Sequence, residues 1–141
     1  MAKNSDVTKE EQTEIISFLA DFTHDPVGFV YASFPWGEGE LKNKKPSEWQ
    51  LKLLAEIGEG LKTVDEVVRE SVASGHGIGK SALVSWIILW AISTHEDTRG
   101  VVTANTDTQL KSKTWSELAK WHRLFIGKAL CKYTATSLFS V

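Results

Sequence analysis

The chain has 141 residues, a length that holds one domain at most. Hydrophobic residues make up 42% and charged residues 24%, ordinary values for a globular chain, while the formal net charge of -2 lacks the basic excess of a domain devoted to nucleic-acid phosphates. Cys131 is the single cysteine, which excludes an internal disulfide and a CxxC zinc site.

Residues 1–6 lead into polar sequence without a signal-peptide core, and the longest apolar stretch, residues 82–92, is too short to span a bilayer. A soluble protein of the cytoplasm, with no membrane contact, is expected. Thr8-Lys9-Glu10-Glu11 fits a capping box, and Ile15, Phe18, Leu19 and Phe22 follow at helical spacing, predicting an amphipathic helix to about Phe22. His24-Asp25-Pro26 ends it. Residues 27–34 form a short apolar piece, and residues 37–46, with Gly37, Pro46 and three lysines, read as an exposed loop.

Ser47-Glu48-Trp49-Gln50 is a second capping box, opening a helix that ends near Gly58 or Gly60. Residues 67–73 are short, Val-rich and stopped by glycines, which predicts a strand. Residues 79–94 predict a helix that is apolar almost all round and therefore buried. Residues 99–104 carry Val101 and Val102 and predict a second strand. Thr106-Asp107-Thr108-Gln109 caps a long helix bearing Leu110, Leu118, Trp121 and Phe125, and residues 132–139 alternate as a third strand. Strand–helix–strand–helix–strand after two helices points to an α/β fold with a parallel sheet.

The chemistry concentrates in Ser74-Gly75-His76-Gly77-Ile78-Gly79-Lys80-Ser81. It matches the P-loop pattern G-x-x-x-x-G-K-[ST], with Ser in place of the first Gly. Three glycines without Cβ atoms let the backbone wrap and aim several N–H groups at one phosphate. Lys80 would reach the β- and γ-phosphates, and the Ser81 hydroxyl would bind Mg²⁺. The following helix adds unpaired N–H groups and the positive end of its dipole.

This loop, read together with Val101-Val102-Thr103-Ala104-Asn105-Thr106-Asp107-Thr108-Gln109-Leu110, resembles the start of the ATPase domain in the large terminase subunits of tailed bacteriophages and prophages. The resemblance runs from about Trp49 to the end of the chain. It implies an incomplete P-loop NTPase fold with a parallel sheet, preceded by N-terminal helices. Residues 1–65 would form the helical segment and residues 66–141 the front half of the ATPase core. It implies ATP and Mg²⁺ as cofactors, with double-stranded DNA, a small terminase subunit and the portal of the procapsid as partners of an oligomeric motor in a bacterial host.

Gln50 falls where these ATPases keep an adenine-recognising Gln. As the fourth residue of a capping box it is equally suited to binding its own backbone. His76 departs from the family, which often has Arg at that place. After Thr108 the only acidic residue is Glu117, within a helix, so no Walker B motif and no nuclease carboxylate cluster follow. A chain carrying only the front of the motor, inactive alone, is therefore expected. Two alternatives remain: a prophage remnant without catalysis, and another P-loop NTPase such as a kinase or helicase-like protein.

Overall fold

Local capping decides where the first helices start. In the computed structural model, which describes residues 8–63, 67–72, 79–95, 97–103 and 106–140, α1 (Lys9–Ala20) opens with the reciprocal Thr8–Glu11 capping box. The Thr8 amide donates to Glu11 Oε2 at 2.9 Å and the Glu11 amide to Thr8 Oγ1 at 3.1 Å. The apolar piece after it is also helical. Asp25 caps α2 (Pro26–Ser33) by accepting from the Gly28 amide at 2.9 Å. Pro26 stands in the first turn, where its missing N–H has no intrahelical partner to lose.

The second predicted capping box opens α3 (Glu48–Gly60) as expected. The apolar helix α4 (Lys80–Thr94) lies at the centre and buries Leu83, Trp86, Leu89 and Trp90. It packs against α1, α2 and α6 (Ser116–Leu124). α6 continues a chain that begins as α5 (Asp107–Gln109) and passes through a π-helical segment, Leu110–Trp115. Of the third predicted capping box the Thr106 half forms, its hydroxyl accepting from the Gln109 amide at 3.0 Å.

Aromatic rings knit these elements together. Phe34 and Trp36, from the stretch after α2, meet Trp86 of α4 and Trp121 of α6, with centroid separations of 5.1 to 5.7 Å for Phe34–Trp121, Trp36–Trp86, Trp36–Trp121 and Trp86–Trp121. Most of these pairs are edge-on, the arrangement that sets a positive ring edge against a negative face. The core draws on both parts of the chain, from Leu19 and Phe29 through Trp86 to Phe125.

The expected α/β architecture is not what the chain adopts. The described residues are mostly helical, and their strands are β1 (Cys131–Tyr133) and β2 (Leu138–Ser140), paired antiparallel with Lys132 opposite Phe139. There is no parallel sheet among them, so the incomplete P-loop NTPase fold expected from the resemblance is overturned. The physical reason differs at each predicted strand. Residues 67–72 and 99–103 find no ladder partner among the described residues, and Val67 and Val101 are 77% and 88% exposed. Valine enrichment reports a fit to a half-buried pleated surface, and no such surface is supplied here.

Residues 132–139, expected as one strand, instead fold back on themselves. The Thr134 hydroxyl accepts from the Ser137 amide at 3.0 Å, and the Thr134 amide donates to the Ser137 carbonyl at 2.8 Å. The hairpin is fastened to the π-helical segment by Trp115 Nε1 donating to the Thr134 carbonyl and Tyr133 Oη donating to the Trp115 carbonyl, at 2.7 and 2.9 Å. No helix among the described residues is long and apolar enough to cross a membrane.

Candidate functional site

Of the P-loop residues, Ser74, Gly75, His76, Gly77 and Ile78 lie outside the described residues, whereas Gly79, Lys80 and Ser81 are described. Gly79 is the N-cap of α4 and has φ +93° and ψ 24°, in the left-handed region where a Cβ is penalised. Its carbonyl accepts from the Leu83 amide at 3.1 Å, which starts the helix. Being glycine, it has no side chain to cap the first-turn N–H groups. No acidic residue stands in that turn, so the positive end of the helix dipole is not offset from within α4.

Gln50 reaches this point from α3, twenty-nine residues away in sequence. Its Nε2 donates to the Gly79 carbonyl at 2.8 Å, while its Oε1 accepts from the Ser47 amide at 2.9 Å. The side chain is only 5% exposed. One amide thus completes the capping box of α3 and also fixes the start of α4. A Cβ on Gly79 would lie 2.5 Å from Gln50 Nε2, so a side chain there would have to displace the amide. Both ends of the amide are engaged by the protein, which makes Gln50 a positioning group for the loop exit.

In front of α4 lies a cleft of about 610 Å³. Gly79, Lys80 and Ser81 line it from the start of α4, and Ser112, Lys113 and Glu117 line it from the π-helical segment and α6. Glu117 is half-buried, and its Oε2 accepts from Trp121 Nε1 at 2.8 Å, which ties it to the aromatic core. The lining of the cleft therefore includes two lysines, hydroxyl-bearing residues and one tethered carboxylate beside a helix N-terminus. That donor set suits a polyanion carrying several oxygen acceptors.

Sequence reasoning alone misses Lys113 and Glu117. Their signal is the polar stripe at residues 109, 112, 113 and 116, with Glu117 at its border beside Trp121, but nothing local says that this stripe faces the start of α4. No group of three or more His, Cys, Asp or Glu among the described residues could hold a metal ion. A Mg²⁺ ion would take the Ser81 hydroxyl from this chain and complete its shell with phosphate oxygens and water, as this ion commonly does.

Cys131 is 5% exposed, and burial pushes its thiol above the ordinary range. The thiolate is the nucleophile, so the raised value lowers reactivity at any given pH. At pH 8 a thiol-alkylating reagent is expected to label the folded chain at least about tenfold more slowly than the chain in denaturant, because burial reduces both the thiolate fraction and access to the sulfur. Equal rates in the two states would contradict this burial. Comparison with family models, with characterised proteins and with solved structures finds no match to this chain.

Proposed function

We propose that the chain binds MgATP in the cleft before α4, as the nucleotide-binding part of a DNA-packaging motor similar to a large terminase subunit. The observation that carries the reading is the left-handed Gly79 at the start of α4, with Lys80 and Ser81 on the cleft behind a glycine-rich P-loop sequence. Phosphate binding at such a point depends on a loop, a helix N-terminus and a lysine, and these do not require a parallel sheet. Lys80 supplies a charge to the β- and γ-phosphates and Ser81 a hydroxyl to Mg²⁺, whose role is to neutralise the phosphate oxygens. Double-stranded DNA, a small terminase subunit and the portal are the partners this reading implies, in an oligomeric assembly.

We read the activity of this chain alone as binding without turnover. The described carboxylate on the cleft is Glu117, and one of its oxygens is already held by Trp121. A hydrolytic site needs a carboxylate-supported Mg²⁺ shell and a positioned water.

Equilibrium titration with a fluorescent ATP analogue and Mg²⁺ tests this, alongside a chain carrying Lys80→Ala. Saturable binding that weakens about tenfold or more in the variant is expected, since a hydrogen bond to a charged group contributes about 1.5–3 kcal/mol. A natively folded chain that binds nothing, or that binds equally well without Lys80, would overturn the reading.

A further inference from the structure

Two cavities follow the β-hairpin. The smaller, about 480 Å³, is lined by residues 100–102 together with residues 135–137. The larger, about 700 Å³, is lined by Asp97 and Thr98 together with Phe139 and Ser140. Leu138 belongs to both, and α4 contributes Ile88 to the first and Ile92 to the second. From the larger cavity to the smaller, one segment rises from 97 to 102 while the other falls from 140 to 135. The two segments therefore pass the same cavities in opposite directions. No backbone hydrogen bond joins them among the described residues, and β2 pairs there only with β1. Two antiparallel backbones without mutual bonds, with apolar helix side chains in the lining, suit an extended segment that adds to a sheet.

The chain itself carries a segment of that kind. Residues 67–72 make no backbone hydrogen bond among the described residues and line neither cavity of their own chain. Val68 alone is partly buried, beside Gly60 at the end of α3, while Val67 and Val72 are 77% and 39% exposed. An unpaired, Val-rich stretch is a template for pairing with another chain. The charges also match. Asp107, in the smaller cavity, is already paired with Lys111 at 3.1 Å. Asp97, in the larger one, and Arg69, in the segment, are exposed and take no part in the ion pairs among the described residues.

We propose that residues 67–72 of one copy bind along the two cavities of a second copy, adding a strand beside β2 with Arg69 set against Asp97. Main-chain hydrogen bonds supply the affinity in this mode, and the opposite charges supply the register. Reciprocal exchange makes two equivalent contacts, so the assembly closes as a dimer. This self-association is separate from the nucleotide-binding reading.

Sedimentation equilibrium of the full chain over a range of concentrations tests it, alongside chains carrying Arg69→Glu, Asp97→Arg or Val67→Asp. The native chain is expected to dimerise. Each charge reversal should raise the dimer dissociation constant about tenfold or more, because like charges then meet at the contact. Mixing the Arg69→Glu chain with the Asp97→Arg chain should restore the native affinity, since both contacts of the mixed dimer again join opposite charges. Asp97 has φ 55°, so its replacement also disturbs the backbone. Val67→Asp, at an exposed position, avoids that disturbance and should weaken the dimer about tenfold or more. Unchanged circular dichroism would show that each variant keeps its fold. A native chain that stays monomeric even at millimolar concentration, with the segment free or inserted in its own cavities, would overturn the proposal. So would a dimer indifferent to Val67→Asp and to the charge reversals, or folded reversal variants that gain nothing on mixing.

Discussion

Truncating Trp86 to alanine is expected to lower unfolding stability by about 3–5 kcal/mol, the range for removing a large aromatic side chain from a packed core. Trp86 is 2% exposed and stands edge-on to Trp36 at 5.7 Å and to Trp121 at 5.3 Å. It therefore joins α4 to α6 and to the stretch that follows α2. A domain of this size commonly has only about 5–15 kcal/mol in total, so the variant should lose a large share of its stability. Trp86→Phe should be far milder, because the indole N–H is buried without a partner among the described residues and its removal breaks no hydrogen bond. Urea denaturation monitored by circular dichroism separates the two variants. Similar losses in both would show that ring packing is not what Trp86 contributes.

Trp121 differs from its neighbour in one respect. Its indole N–H is used, donating to Glu117 at 2.8 Å, and Glu117 lines the cleft. Burial of one ring thereby fixes both the aromatic core and the orientation of a carboxylate at the candidate site. The two tryptophans touch each other, yet only Trp121 connects packing to the site through a hydrogen bond.

What is legible in the sequence follows the range of the interactions involved. α1 and α3 lie where capping boxes predict them, because a cap is a contact across three residues and needs no distant partner, and α4 lies where its apolar run predicts a buried helix. Strands carry no such local closure. Residues 67–72 and 99–103 have the composition of strands, but pairing depends on what the rest of the chain brings alongside, and among the described residues nothing is brought. The alternating run at residues 132–139 pairs with itself because its polar centre, Thr134 to Ser137, closes a turn, a local signal that alternation alone conceals. At the site, Gly79, Lys80 and Ser81 are readable as part of a contiguous motif. Lys113 and Glu117 are not, since their placement follows from how α6 lies on α4. Gln50 is half-readable: its capping bond is local, and its bond to Gly79 is not.

That second bond makes the loop exit testable by paired substitution. Gly79→Ala should destabilise the chain by about 1–2 kcal/mol through its left-handed backbone alone. The new Cβ would also stand 2.5 Å from Gln50 Nε2. A free side-chain end would simply turn aside, but this amide is buried and bonded at both ends, to Ser47 and to Gly79. Moving it gives up those hydrogen bonds. Gln50→Ala should itself lose about 0.5–1.5 kcal/mol, chiefly through the lost capping bond to the Ser47 amide, since the Gly79 carbonyl keeps the Leu83 amide. Combined, the two substitutions should be less harmful than their sum by about 1 kcal/mol, because removing the amide also removes the obstacle to the Cβ. Equilibrium denaturation of the four chains gives this coupling directly. Strict additivity would mean that Gln50 does not confine Gly79, and the start of α4 would then owe its geometry to the helix alone.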